Sequence, residues 1–159
     1  MVTAVERGPE PTGAAAKPFH YVEIYRASPA DRIGIIKAGV SASKAKRMIT
    51  DLRFDQGVLL GALNLKTATV NRKAARNESL SPEESERVIG LAKLVGQIEA
   101  MVEESGEPAG FDAAAWLSQW LREPVPALGN LRPIDLLDTM EGQALVSQVL
   151  GQMQSGAYA

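Results

Sequence analysis

LLGALNLKTATVNRK, residues 59–73, is the stretch that decides the fold, because it predicts two short helices joined by a tight turn. Leu59, Leu60 and Leu63 give the first helix one apolar face at helical spacing. Asn64 follows where the chain must turn, and asparagine tolerates the left-handed backbone conformation that such a turn requires. The pattern is typical of a helix-turn-helix unit.

The second helix of this unit is expected to begin at Lys66 or Thr67, where a hydroxyl can accept from free backbone amides. Val70 and Ala74 would point inward, and Leu65 would fill the gap between the two helices. The outward side chains are then small, polar or basic: Thr67, Ala68, Asn71, Arg72 and Lys73. Such a face suits insertion into a DNA major groove, although similar shapes occur in all-α proteins that never touch DNA.

Positive charge is concentrated around this unit, although the 159-residue chain carries a formal net charge of only -2. Residues 41–80 hold 8 basic and 3 acidic side chains, whereas residues 81–159 hold 4 basic and 12 acidic ones. This asymmetry is the electrostatic footprint of a surface that contacts phosphates. The alternative is a basic surface that is exposed to solvent and binds no nucleic acid.

The residues of the second helix divide into two predicted roles. Those expected to face base edges are Thr67, Ala68, Asn71 and Arg72, because asparagine suits adenine and arginine suits guanine. Those expected nearer the phosphates are Lys66, Lys73 and Arg76. One such helix binds DNA weakly, so we expect a homodimer on operator DNA of matching two-fold symmetry.

Composition argues against several other classes of function. The chain has no cysteine, which excludes a disulfide and a thiolate metal site and fits a cytoplasmic protein. His20 is the only histidine, and the carboxylates Asp135, Asp138 and Glu141 lie near helix starts, where acids serve as caps. We therefore expect no catalytic residue, metal, cofactor or small-molecule substrate. No apolar run is long enough to span a membrane.

The chain divides into three predicted parts, all-α in fold class. Residues 1–18 have the composition of a disordered tail, residues 19–105 form the helix-turn-helix domain, and residues 106–159 form a small C-terminal helical domain. The segment Phe19–Tyr25 could be a strand by propensity, but no partner strand is evident, so an extended arm is expected. Serines mark three helix starts, at Ser28, at Ser41 or Ser43, and at Ser81, where Glu84 completes a capping box.

The C-terminal part predicts helices separated by a rigid, proline-rich loop. A helix from Phe111 to about Arg122 stacks Trp116 and Trp120 on one face, more as core anchors than as a ligand platform. A short helix at residues 134–137 follows the loop, and the last helix ends at Gly156. The apolar side of that last helix is predicted to carry Leu145, Val146, Val149, Leu150 and Met153.

Residues 120–137 read WLREPVPALGNLRPIDLL, and the later Glu141-Gly142 and the terminal Tyr158-Ala159 follow them in order. This run resembles the toxin-binding domain of Xre/MbcA/ParS-type antitoxins. Upstream, residues 69–73 and 80–87 are similar to the Xre-like helix-turn-helix half of the same antitoxins. Two positions depart from the family pattern: Asn130 replaces a usual glycine, and Lys66 replaces a common capping serine.

The resemblance implies an antitoxin of a type II toxin–antitoxin pair that represses its own operon. Its partner would be a RES-domain toxin that consumes NAD, covered near its active-site cleft by the C-terminal domain. The candidate toxin-binding residues are Arg132, Leu150, Met153, Gly156, Tyr158 and Ala159. Tyr158 is the expected anchor, unless it folds back on the last helix. The alternative function is a helix-turn-helix transcription regulator without a toxin partner.

Overall fold

The computed structural model describes residues 19–106 and 109–156, and every regular element in these ranges is helical. The α-helices are α1 (Tyr21–Arg26), α2 (Pro29–Ala38), α3 (Ala42–Asp51), α4 (Gln56–Ala62), α5 (Thr67–Ala75), α6 (Pro82–Glu104), α7 (Ala113–Leu121) and α8 (Met140–Ser155). Two 3₁₀ turns, Pro126–Leu128 and Pro133–Leu136, connect α7 to α8. The all-α prediction is confirmed.

Helix α6 is the central element, and α1, α2, α7 and α8 all pack against it. Its start is fixed by the predicted capping box, in which the Ser81 hydroxyl accepts from the Glu84 amide at 3.1 Å. The Glu84 carboxylate accepts in return from the Ser81 amide at 2.9 Å. Most side chains from Ser85 to Ala100 are buried. A helix buried on several faces is expected at the centre of a core.

The segment predicted to be an extended arm is instead helix α1, so that prediction is wrong. Tyr21 and Ile24, three residues apart, both bury their side chains, which requires a helical turn. The Tyr21 hydroxyl donates to Asp51 at 2.6 Å, and burial together with this carboxylate raises the pKa of the phenol. Tertiary packing on α6 therefore overrides the strand propensity of the local sequence.

Two buried glutamines connect α6 to α8. The Gln143 side chain donates to the backbone carbonyls of Arg87 at 3.1 Å and Leu137 at 2.9 Å. The Gln97 side chain donates to the Ser147 carbonyl at 3.0 Å and accepts from the Ser147 hydroxyl at 2.7 Å. Buried polar groups are costly unless they are paired, so these bonds fix one register of α8 on α6.

One cluster of buried apolar residues runs through both predicted domains. It includes Leu59 from the helix-turn-helix, Leu91 from α6 and Leu117 from α7. Helix α6 ends at Glu104 with Ser105 as its C-cap, and Gly106 then adopts a left-handed conformation with φ of 85°. The domain boundary at residue 105 stays a prediction, but the two parts share one core.

The predicted helix ends agree with the structure in most places. Ser28 caps α2 and Ser41 caps α3, as predicted. The structure adds Thr139 as the cap of α8. Gly156 ends α8 in the left-handed conformation, as predicted. The start of α7 differs, because Asp112 is the cap and the helix begins after it rather than at Phe111.

Candidate nucleic-acid and protein interfaces

The turn between α4 and α5 is fixed by its backbone conformation, by two hydrogen bonds and by a buried side chain. Asn64 has the predicted left-handed backbone, with φ of 56°. The Leu65 amide donates to the Leu60 carbonyl at 2.8 Å, and the guanidinium of Arg87 on α6 donates to the Leu63 carbonyl at 2.6 Å. Val70, on the inner side of α5, is fully buried. The position of α5 on the body is therefore set by packing and by hydrogen bonds to the turn.

The first turn of α5 lacks the hydroxyl cap that the sequence predicted. Lys66 occupies the cap position, and its side chain makes no capping hydrogen bond. Thr67 is the first helical residue, and its side chain is half-buried. The first backbone amides of α5 consequently receive no side-chain cap, which suits a phosphate at this end.

The side chains on the outermost face of α5 are either small or basic. Its most exposed members are Ala68, Arg72, Ala75 and Arg76, and Lys66 is exposed beside them. Within residues 19–106 and 109–156, no carboxylate forms an ion pair with Lys66, Arg72 or Arg76. Small residues between unpaired cations allow the backbone of a helix to approach a nucleic acid closely. Lys66, Ala68, Arg72 and Arg76 are thus exposed as a DNA contact would require, and the contact itself stays a prediction.

Asn71 lies at the edge of that face rather than at its centre. Its side-chain oxygen accepts a hydrogen bond from the Gln56 amide, at the start of α4, at 2.7 Å. The Asn71 amide group keeps its donors, and its oxygen keeps a second lone pair. Gln56 thereby orients the side chain that was predicted to read a base, a role that the sequence alone did not reveal.

Lys73 does not face outward as predicted, and this part of the prediction is wrong. Its ammonium lies 3.0 Å from Glu84, and the two side chains are only 19% and 17% exposed. Burial of the Glu84 carboxyl opposes its ionisation, but hydrogen bonds from Ser81 and Lys73 outweigh burial and lower its pKa. The ion pair therefore fastens the end of α5 to the start of α6. A phosphate contact by Lys73 stays an untested prediction.

Replacing Glu84 with glutamine should lower the free energy of unfolding by about 1–2 kcal/mol at neutral pH. Glutamine can still complete the capping box, whereas the half-buried Lys73 ammonium loses its counter-ion. Since the folded pKa of Glu84 is depressed, its ionic contribution is present above the ordinary glutamate pKa and disappears as the pH falls through the folded pKa. Urea unfolding at neutral and acidic pH measures this, and an equal difference at both would contradict it.

The residues predicted to contact a protein partner differ in their accessibility. Leu150 is completely buried in the core, so the prediction that it touches a partner directly is wrong. Met153 is half-buried against the core, whereas Gly156 is exposed. The exposed Arg132 binds the Asp135 carboxylate through two nitrogens at 3.1 and 3.0 Å. Tyr158 and Ala159 lie outside the described residues.

Helix α8 presents an outward face with no charge beyond its first turn. From Gly142 to the end of the chain the sequence contains no Asp, Glu, Lys or Arg. Leu145 lies on this face with 43% of its surface exposed, although it was predicted to be on the buried side. The other exposed members of the face are Met140, Ala144, Gln148 and Gln152. Depletion of charge around exposed apolar groups is typical of the centre of a protein–protein interface.

Two regions of the chain match known protein families. Residues 31–93 match the antitoxin Xre-like helix-turn-helix domain, and residues 109–156 match the antitoxin Xre/MbcA/ParS C-terminal toxin-binding domain. The chain is 67% identical over 147 residues, 92% of each chain, to the Prs ADP-ribosylating antitoxin of Sphingobium sp. (strain YBL2). The chain belongs to the Xre/MbcA/ParS family of antitoxins. The antitoxin thus carries α4 and α5 in its helix-turn-helix match and α8 in its toxin-binding match.

More distant relatives carry the same kind of name. The antitoxin is 27% identical over 124 residues to the antitoxin Xre of Yersinia enterocolitica serotype O:8 / biotype 1B, covering 78% of each chain. It is 26% identical over 88 residues to the antitoxin Xre of Pseudomonas putida, covering 55% of this chain and 50% of that one. The sequence resemblance to this family is therefore confirmed.

Three further features of the described part of the antitoxin bear on a metal site, a membrane span and one more cleft. No three His, Asp, Glu or Cys side chains there come together as a metal site would require. None of the described helices has both the length and the apolar character needed to cross a bilayer. A cleft of about 560 Å³ lies between α4 and the second 3₁₀ turn, with Phe54, Val58 and Ile134 among its lining residues and Arg122 and Arg132 beside them.

Proposed function

We propose that the antitoxin neutralises a RES-domain toxin that consumes NAD, by covering the active-site cleft of the toxin. The contact would be made by the uncharged face of α8 and by the residues after this helix. The single observation that carries this proposal is the exposure of Leu145 on a charge-free face within the toxin-binding match. The antitoxin would act by binding, without catalysing a reaction of its own.

The name of one relative supports a partner that uses NAD. The 67%-identical protein is named a Prs ADP-ribosylating antitoxin, and ADP-ribosyl transfer uses NAD as its donor. A cleft that binds NAD must accommodate two phosphates, so it is expected to be basic. The acidic excess of residues 81–159 then complements such a partner and would accelerate association.

The same antitoxin would repress its own operon as a homodimer on operator DNA. Helix α5 would enter the major groove with Arg72 toward a base edge and Arg76 and Lys66 toward phosphates. The exposure of these three cations without ion pairs among the described residues supports this orientation. Two such helices in one dimer would read the two halves of a palindromic site.

Replacing Arg72 with alanine should weaken operator binding by about 1–3 kcal/mol and relax the preference at one base pair. Arg76→Ala is the matched control, because a lost phosphate contact weakens all sequences equally and lowers the salt slope by about 1. Fluorescence anisotropy with operator variants at several salt concentrations separates the two effects. An Arg72→Ala variant with unchanged affinity and preference would show that Arg72 does not read a base.

Deleting residues 156–159 should restore toxicity in cells that co-express the adjacent gene product, because Tyr158 would no longer enter the toxin cleft. The deletion removes only the C-cap of α8 and the residues after it, so the helical circular dichroism should stay unchanged. Full neutralisation by the truncated chain would exclude a role for these residues. If the full-length chain formed no complex with the adjacent gene product, a transcription regulator without a toxin would be the better description.

A further inference from the structure

One residue of α4 is bonded to the predicted DNA face of α5. Gln56 is the first residue of α4, and its side-chain nitrogen donates to the Asn71 side-chain oxygen at 2.7 Å. Both residues are half-buried. In the part of the chain that the structure describes, this is the only hydrogen bond that either side chain makes. The two amides therefore form an isolated pair between the two helices of the helix-turn-helix.

Other contacts already fix α5 on α4. The Leu65 amide donates to the Leu60 carbonyl at 2.8 Å, and Val70 is fully buried on the inner side of α5. A hydrogen bond between two neutral amides that water can reach adds little to these contacts, because each amide bonds to water when the protein unfolds. The main consequence of the pair is therefore for the orientation of the Asn71 side chain, and not for the position of the helix.

The surroundings of Asn71 are open on the side away from Gln56. Its neighbours on the surface of α5 are Ala68, three residues before it, and Ala75, four residues after it, and both are exposed. Asparagine has a short side chain, and neighbours that carry only a methyl group leave room for it to approach a base edge. Asn71 thus lies between the residue that holds it and the surface that would enter the major groove.

The pair leaves Asn71 with the groups that recognise adenine. An asparagine side chain has two N–H donors and one oxygen with two lone pairs. Gln56 occupies one lone pair, so one acceptor position and both donors stay available. In the major groove adenine presents the N7 acceptor and the N6 amino donor, and asparagine can bond to both at once. Guanine presents two acceptors there, which would leave the remaining lone pair of Asn71 without a donor.

Holding the side chain in advance also favours the correct base. A free asparagine samples several orientations, and a contact that keeps only one of them weakens binding by roughly 2- to 10-fold. A side chain that a neighbour already holds has lost this freedom before the DNA arrives. The gain applies only to a base that accepts the held orientation, so it appears as discrimination between bases.

We propose that Gln56 is a specificity-determining residue of the operator site, which acts by holding Asn71 in the orientation that pairs with adenine. Gln56 is a positioning residue, since Asn71 makes the contact to the base. This inference rests on the proposed function, because it requires that α5 enters the major groove of operator DNA. It adds a residue of α4 to a DNA face that was predicted on α5 alone.

Selection from duplexes randomised across the operator, with the full-length chain, tests the proposal. In the wild type, we expect a preference for adenine of roughly 10- to 100-fold at one base pair of each half-site, and Asn71→Ala should abolish it. Gln56→Met keeps the length of the side chain but cannot donate. It should lower the preference at the same base pair by roughly 2- to 10-fold and leave the other base pairs unchanged. The double variant should match Asn71→Ala alone.

Two controls separate this role from a general effect on the protein. An operator with 7-deazaadenine at that position lacks the N7 acceptor, so it should weaken binding of the wild type and not of Asn71→Ala. Gln119→Met is the matched variant, because Gln119 donates to Glu123 at 3.1 Å on the exposed surface of α7. Its base preferences should equal those of the wild type. The melting temperature of Gln56→Met should stay within about 2 °C of the wild type.

A Gln56→Met variant that keeps the full preference at the Asn71 base pair would overturn the proposal. An equal loss of affinity for all sequences would also overturn it, since a purely structural link between α4 and α5 would give that result. The same holds if Asn71→Ala abolishes a preference for a base other than adenine. If Arg72→Ala relaxes its own base pair while Gln56→Met relaxes none, only the inference fails. A wild type that binds all duplexes alike would overturn operator recognition itself.

Discussion

Replacing Leu145 with lysine should weaken the antitoxin–toxin complex by roughly 3–5 kcal/mol, which is more than about 100-fold in Kd. The substitution places an unpaired charge at the centre of the uncharged α8 face, where the toxin would remove it from water. The fold should tolerate it, because Leu145 is 43% exposed and the lysine would lie one helical turn after Glu141. The free energy of unfolding should change by about 0.5 kcal/mol or less.

Leu150→Ala is the matched variant on the same helix. Leu150 is fully buried, so its truncation should lower the free energy of unfolding by about 2–5 kcal/mol. At a temperature where this variant stays folded, its affinity for the toxin should be close to that of the wild type. Isothermal titration calorimetry and urea unfolding of both variants measure the two properties. Toxin binding that survives Leu145→Lys and is lost by folded Leu150→Ala would reverse our assignment of the two faces.

Replacing Gly96 with alanine should lower the free energy of unfolding by roughly 2–3 kcal/mol. A Cβ atom on Gly96 would overlap the backbone carbonyl of Tyr21, and backbone cannot move aside as a flexible side chain can. Helix α1 would have to move away from α6, which would also disturb the hydrogen bond from Tyr21 to Asp51. Amide hydrogen exchange should consequently accelerate in α1 before it does in α8.

The control for this prediction is Gly61→Ala, at the open position on α4. The new methyl group meets no neighbour, and alanine is the better helix former, so stability should rise by up to about 1 kcal/mol. Thermal unfolding of the two variants beside the wild type gives the comparison. If both substitutions destabilised equally, close packing of α1 on α6 would not be the reason that position 96 is glycine.

Local signals predicted the helices of the antitoxin well. The capping serines at positions 28 and 81 and the glycine at position 156 act through hydrogen bonds or backbone angles within a few residues. Such effects depend on the neighbouring sequence alone, so they can be read from it. The left-handed Asn64 belongs to the same class.

Tertiary effects account for the predictions that were wrong. Helix α1 depends on the surface that Gly96 opens on α6, and Lys73 is buried by Glu84, which lies 11 residues later in the chain. On α8, Val149 and Leu150 are buried as predicted, whereas Leu145 is exposed. The sequence places these apolar residues on one side of the helix, but it does not show which of them another helix covers. Burial of this kind depends on distant segments, and no local pattern reports it.

The central claim is that α5 meets DNA while the outward face of α8 meets the toxin. Since the chain has no cysteine, one introduced at Gln148 can carry a photo-crosslinker at a single known position on α8. The Gln148→Cys conjugate should crosslink to the co-purified toxin, and the matched Ala75→Cys conjugate on α5 should crosslink to operator DNA and not to the toxin. Crosslinking of the toxin from position 75, or none from position 148 in an intact complex, would contradict the account.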